Sequence, residues 1–287
     1  MLKKITKLLR VPLFANAVPA APKPDVSDPS GGCTENTPEC QYLPGGWKPR
    51  ETDRKGWDTA EIVRHYRRDW APYAARLQTH GPVNFAPGDP NGASIVHQNT
   101  ALVFGYALAL AASGKTKISM LDWGGAVGHY YLLAKALVPG VEIDYHCKDM
   151  PTVVEYGQDL LPDANFYSDH SCLDRRYDFV LVSGSLQFTE DWQGLFADLA
   201  KATSGHILVT RSPVVEQSKS FVFAHRTDLY GYPAEFLAWC FNRMEFLTRA
   251  QELGLEPIRE FLVGTGHSIT DAPEQPVYYG FLFKKRN

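Results

Sequence analysis

Apolar positions along the chain follow two periods. Residues 118–123, 141–147, 165–167, 179–183 and 206–210 are short, nearly continuous apolar runs, the pattern of strands buried on both faces. Residues 127–137, 152–160 and 192–202 instead repeat their apolar positions at helical spacing. Strands alternating with helices of this length predict right-handed crossovers and a parallel sheet covered on both sides. The ending differs. After a helix over 242–253, strands over 257–263 and 277–284 are joined by the loop 264–276, so an antiparallel pair is expected at one edge.

Upstream of the first strand two more helices are expected. Ile62, Val63, Tyr66, Trp70, Tyr73 and Leu77 share one face of a helix over 59–77, with Asp58 as its N-cap. A Pro and Gly-rich loop, 81–92, leads to a helix over 94–113 that carries His97 and Asn99 near its start and is apolar afterwards. Residues 11–51 are dense in Pro, Gly, Ser and Thr and read as a tail or wrapping arm. The organisation is therefore a basic start and arm over 1–50, a helical cap over 51–115 and a main domain over 116–287, with an irregular insertion at 212–241 and no internal repeat.

The segment SMLDWGGAVGHYYLLAK, residues 119–135, holds the chemistry. A buried strand ends in Asp122, glycines follow at Gly124, Gly125 and Gly128, and a helix begins at once. Such a turn brings backbone amides and a helix N-terminus to the carboxyl edge of a sheet. A dinucleotide fingerprint needs glycines where Ala126 and His129 stand. The alternate spacing Asp122, Gly124, Gly128 resembles the class I methyltransferase motif, with Ala126 in place of the middle glycine and Gly125 beside it. Amides there can receive a carboxylate, and a charged Asp122 can accept from an ammonium group. A turn whose glycines serve packing alone remains the alternative.

Later strand ends add candidates. Asp149, followed by Met150 and Pro151, closes the next strand where ribose hydroxyls would lie, and it can equally cap the following helix. Ser168 and Asp169 follow the third strand, as an adenine contact or as surface loop. Ser183, Gly184 and Ser185, then Leu186 and Gln187, follow the fourth, where small residues permit close approach. In this order LDWGGAVGHYY, CKDMP, YDFVLVSGSLQF, VTRSPVV and YYGFLF resemble a family of methyltransferases encoded among bacterial surface-polysaccharide genes, over residues 94–283. That resemblance implies a Rossmann-like class I fold, with a mostly parallel seven-stranded sheet, an antiparallel edge strand and an N-terminal helical extension. It also implies S-adenosylmethionine as cofactor and a sugar or glycan hydroxyl as acceptor.

Removing a hydroxyl proton calls for a base near the later strand ends. His225 in the insertion is the first candidate, with His170 and His267 behind it. Arg211 can hold an acceptor through its fork of donors, or form a salt bridge at the sheet rim. Tyr230, Tyr232, Phe236 and Trp239 can stack on a sugar or simply pack. His97 and Asn99 can close the cofactor pocket. The rival functions are a binding or scaffold protein that keeps the fold without catalysis, and a nucleotide-sugar or dinucleotide enzyme.

Composition narrows the partners. Apolar residues at 44%, charged ones at 21% and a net charge of -3 suit a soluble globular protein and give no footing for nucleic acid. Cys33, Cys40, Cys147, Cys172 and Cys240 lack zinc-site spacing, so no metal is expected; they read as reduced thiols, with Cys33 and Cys40 able to close a small loop. Residues 1–10, MLKKITKLLR, form a short basic amphipathic stretch suited to weak contact with an anionic membrane surface, or to a signal peptide interrupted by charge. A cytoplasmic location is expected, and no stretch, 101–112 included, is read as spanning a bilayer.

Overall fold

The computed structural model describes residues 38–48, 60–87, 94–227 and 234–286. The basic start, Cys33, Asp58, Tyr230 and Tyr232 lie outside them. In chain order the elements are β1 (Cys40–Leu43), α1 (Ala60–Leu77), α2 (Ile95–Ala112), β2 (Lys117–Trp123), α3 (His129–Leu137), β3 (Glu142–Lys148), α4 (Pro151–Leu160) and β4 (Asn165–Tyr167). They continue with β5 (Tyr177–Ser183), α5 (Trp192–Ala202), β6 (Thr203–Val215), β7 (Phe221–Arg226), β8 (Glu235–Asn242), α6 (Arg243–Glu252), β9 (Leu255–Thr265), β10 (Ile269–Thr270) and β11 (Val277–Lys285).

Seven strands form the main sheet in the order β4-β3-β2-β5-β6-β11-β9. From β2 the chain steps outward through β3 to β4, then returns across the sheet to β5 on the other flank of β2, all in parallel. Strand order therefore reverses between β2 and β5, which opens a crevice above their carboxyl ends. β11 is antiparallel to both β6 and β9. The antiparallel strand thus sits one place in from the edge, and β9 forms the edge itself.

Alternation along the central strands fills both faces. Phe179 and Leu181 of β5 join Met120, Tyr145 and Leu208 under α2 and α3, where Phe104, Leu108, Tyr130 and Leu133 are buried. Val180 and Val182 point the other way, to Trp192, Phe196 and Leu199 of α5 and Phe246 of α6. α2 is apolar on all sides, 18 residues at mean hydropathy 1.3, long and apolar enough by composition to cross a membrane. This corrects the expectation of no such stretch, although one face of α2 is a wall of the core.

Two readings change. Residues 40–43, expected in the arm, form β1, which pairs antiparallel with β7 and parallel with β10. The insertion at 212–241 is not irregular: β6 runs on to Val215, β7 and β8 pair antiparallel, and β8 joins β6 at Val214 and Val215. A small second sheet, β10-β1-β7-β8, therefore continues from the end of β6. Its ion pair, Arg226 with Glu235 at 2.9 Å, is buried on both sides.

Candidate functional site

The glycine turn lies at the switch point, and its backbone is taken up internally. Gly124 N–H and Gly125 N–H donate to Lys148 O, Ala126 N–H to Asp149 Oδ2 at 2.7 Å, and Gly128 N–H to Gly125 O. The absent side chains face protein. A Cβ on Gly124 would stand 2.4 Å from Ser185 Cβ, one on Gly125 2.5 Å from the Asp122 carboxylate, and one on Gly128 2.8 Å from Leu161. Ala126 adopts φ 51° itself, so it fills the missing glycine's conformation without its flexibility.

Asp122 lies beneath the turn and is fully buried. Its Oδ2 accepts from Tyr145 Oη–H at 2.5 Å, while Oδ1 has no hydrogen-bond partner. Burial pushes the carboxyl up to about 7, against the Tyr145 bond, which lowers it. The carboxyl expected to stay charged thus titrates near neutrality, buried below the turn. Asp149 joins β3 to the turn, its Oδ1 accepting from Met150 N–H at 2.7 Å and its Oδ2 from Ala126. Each oxygen keeps a second lone pair. Burial raises the Asp149 carboxyl while those two amides lower it.

The structure brings Asp122, Asp149, the three glycines and Ser183 to Ser185 together. Ser185 Oγ donates to Trp123 O at 2.7 Å, and Ser183 Oγ shares a 2.7 Å hydrogen bond with Tyr130 Oη. Met150 caps α4 and packs with Ile62, Ala126 and Val127. Ser168 and Asp169 are exposed at the end of β4, where Asp169 accepts from Ser171 N–H in a local turn. Beside them His170 stands edge-on to Trp123, and Lys148 lies 5.0 Å above the same indole. α1 covers the turn through Ile62, with Val63, Tyr66 and Trp70 around it.

On the other side of Ser185 lies Arg211. It holds a left-handed φ of 57° at a bulge in β6, next to the register shift against β11. Its guanidinium rests on Gly184, whose Cβ would stand 3.1 Å from Nη1, and over the Phe85 ring at 4.3 Å. Aromatic stacking stands where the alternative reading places a rim salt bridge. Phe85 also meets His97 and His129. His129, missed by the sequence reading except as a failed glycine position, has both ring nitrogens buried without a hydrogen-bond partner. Burial, helped by Arg211, holds its imidazole down at about 3, hence neutral.

Gln187 donates to Arg211 O, and its own Oε1 is buried without a partner. Phe188 stacks on His225 at 6.4 Å. His225 does not stand alone as a base: it belongs to a cluster with Glu39 and His267. His170 lies apart from that cluster, against Trp123. Asn99 donates to Val263 O, which ties α2 to β9 rather than closing a pocket. Phe236 is buried against Phe188, and Trp239 stacks on Trp47 at 5.9 Å, so the described insertion aromatics serve packing. Cys40 is buried, its thiol pushed up to about 12 mainly by desolvation.

No family model matches the chain, and no curated protein does. Magnesium protoporphyrin IX methyltransferase of Synechocystis PCC 6803, with bound SAM, matches 81% of this chain and 100% of its own at 12% identity and TM-score 0.46. The N-terminal domain of EvdMO1, in the presence of SAH and D-fucose, matches 81% and 100% at 15% identity and TM-score 0.46. The 1,6-didemethyltoxoflavin-N1-methyltransferase of Burkholderia thailandensis matches 82% and 94% at 15% and 0.43. The likeness is one of fold alone. At these TM-scores it carries nothing about chemistry, which rests on the residues above.

Proposed function

We propose that the chain is an S-adenosylmethionine-dependent methyltransferase that acts on an oxygen of a small hydroxylated acceptor, a sugar or glycan hydroxyl in the first instance. One observation carries this reading: buried polar atoms without partners gather around the reversal of strand order. They are both nitrogens of His129 at the start of α3 and Gln187 Oε1 after β5, while the unpaired Asp122 Oδ1 lies below the turn, away from the ligand side. Buried polar groups are nearly always paired. Such a cluster fits a site built to receive a polar ligand.

The cofactor, when bound, supplies an electrophilic methyl group on a sulfonium. Toward it Asp149 offers its spare lone pairs to ribose hydroxyls, and Ser183 to Ser185 allow close approach. Since Ile62 of α1 packs on Ala126 and Val127, entry requires α1 to lift. Arg211 orients the acceptor from the Gly184 side, and the Glu39, His225 and His267 cluster is the group that takes its proton. In the transfer the acceptor oxygen bonds the methyl carbon and the carbon–sulfur bond breaks, its electron pair passing to sulfur.

A scaffold that keeps the fold without catalysis is the second reading, favoured by turn glycines that face protein and turn amides that are already paired. Calorimetric titration with S-adenosylmethionine, S-adenosylhomocysteine and NAD separates them. Binding of the first two, weakened at least tenfold by Asp149→Asn, is expected. No binding of either favours the scaffold, and binding of NAD alone favours a dinucleotide enzyme.

A further inference from the structure

Sheet register gathers three metal-ligating side chains on the acceptor side. Cys40 of β1 pairs with Ile269 of β10 on one flank and with His225 of β7 on the other. Glu39 stands one residue before Cys40, and His267 two before Ile269, so groups remote in sequence converge. Glu39 Oε1 is 3.3 Å from His267 Nδ1 and 3.6 Å from His225 Nε2. All three donor atoms lie within 4.8 Å of one another. Imidazole nitrogen and carboxylate oxygen bind zinc at about 2.0–2.2 Å, which sets tetrahedral donors about 3.3–3.6 Å apart. Two of the separations already have that size.

A second observation points the same way. His225 Nε2 is buried with no hydrogen-bond partner, on a side chain only 12% exposed. Glu39 and His267, at 26% and 32%, leave one side of the cluster open. Two imidazoles and one carboxylate suit zinc and its first-row neighbours, whereas magnesium and calcium prefer oxygen donors throughout.

We propose that Glu39, His225 and His267 bind one divalent zinc-type ion, whose open position admits an oxygen of the acceptor. Phe188 stacks on His225 and directly follows Gln187, which donates to Arg211 O, so the cluster lies beside the acceptor groups already described. Entry of the acceptor rests on the methyltransferase reading, while ion binding does not. With the ion bound, all three side chains are ligands: the ion would acidify the bound hydroxyl, whose proton leaves to water, and the cluster takes the proton itself only in the metal-free protein.

The full chain, stripped of metal with a chelator, is titrated with Zn2+ by calorimetry and with Co2+ by visible spectroscopy. Affinity for S-adenosylmethionine is measured on the same preparation. One ion per chain is expected, with affinity reduced at least tenfold in Glu39→Gln, His225→Ala and His267→Ala and the Co2+ ligand-field bands lost. No saturable binding at millimolar ion overturns the proposal, as does wild-type affinity in all three variants. If the histidine variants fail to fold by circular dichroism, the near-isosteric Glu39→Gln decides alone. Metal binding without cofactor binding removes the methyltransferase reading and keeps the ion site; the reverse result removes the ion site alone.

Discussion

Replacing Asp122 by asparagine should uncover two opposed titrations at the switch point. Burial raises the Asp122 carboxyl from 3.8 to about 7, so between those values the folded protein holds a proton that the unfolded chain has released. Stability therefore falls as pH rises through that window. The span corresponds to about 4 kcal/mol at about 1.4 kcal/mol per pH unit. His129 works the other way: its folded value of about 3 lies below the unfolded 6.5, so its contribution is present above 6.5 and is lost as pH falls, by about 5 kcal/mol. In the wild type the two slopes largely cancel between about pH 4 and 6.5.

Asp122→Asn keeps an acceptor for the Tyr145 hydroxyl but puts an NH2 where Oδ1 has no partner. Below about pH 7 the wild-type carboxyl proton already sits on that unpartnered oxygen, so the exchange costs at most about 1 kcal/mol. The variant should be close to the wild type at pH 4 and, once the wild-type carboxylate is forced to ionise, the more stable one at pH 8 by about 3–4 kcal/mol. Urea unfolding of both proteins at intervals from pH 4 to 8 gives the difference curve, in which the other titrating groups drop out to first order. A difference that stays constant across that range would refute the buried, raised carboxyl.

The remaining expectations concern the elements around the site. Gly125→Ala sets a methyl 2.5 Å from the Asp122 carboxylate and 2.8 Å from Cys147 Sγ, and should cost about 2–3 kcal/mol. In calorimetry that is a fall in Tm of about 5–10 °C, and an unchanged Tm contradicts the close approach. Arg226→Ala removes a buried ion pair with Glu235 and the bond to Pro38 O, for a loss of about 3–5 kcal/mol in urea; a loss under about 1 kcal/mol would place the pair at the surface. If α1 must lift from Ala126, saturating S-adenosylmethionine should change amide exchange in residues 60–77 more than in β5. Uniform protection would tell against that route.

Much of the sheet could be read from the chain because its central strands are buried twice over and so are apolar without a break, as in residues 179–182. What escaped had partners that local pattern does not specify. The apolar run ends at residue 210, three short of Pro213, yet β6 continues because Pro213 is paired with Tyr278 on one flank only, β8 engaging at Val214 and Val215, so no bond on the other side is lost. β1 is four residues in a stretch of turn formers, and it exists because β7 and β10 flank it. The cluster of Glu39, His225 and His267 follows from that pairing, so no spacing rule finds it.

Asp122 is the instructive case, because its orientation was present in the sequence as parity. Along β2 successive side chains alternate between faces. Ile118 and Met120 are buried in the cluster under α2 and α3, and Leu121 and Trp123 in the cluster under α5. Asp122 shares the face of Ile118 and Met120, which directs its carboxylate under the turn, toward Tyr145, rather than over it. A motif match identifies the residue type at a strand end, whereas alternation decides which side of the backbone that residue serves. At this switch point the carboxylate below the turn sets its charge and packing, and the group left facing a ligand is Asp149, one strand away.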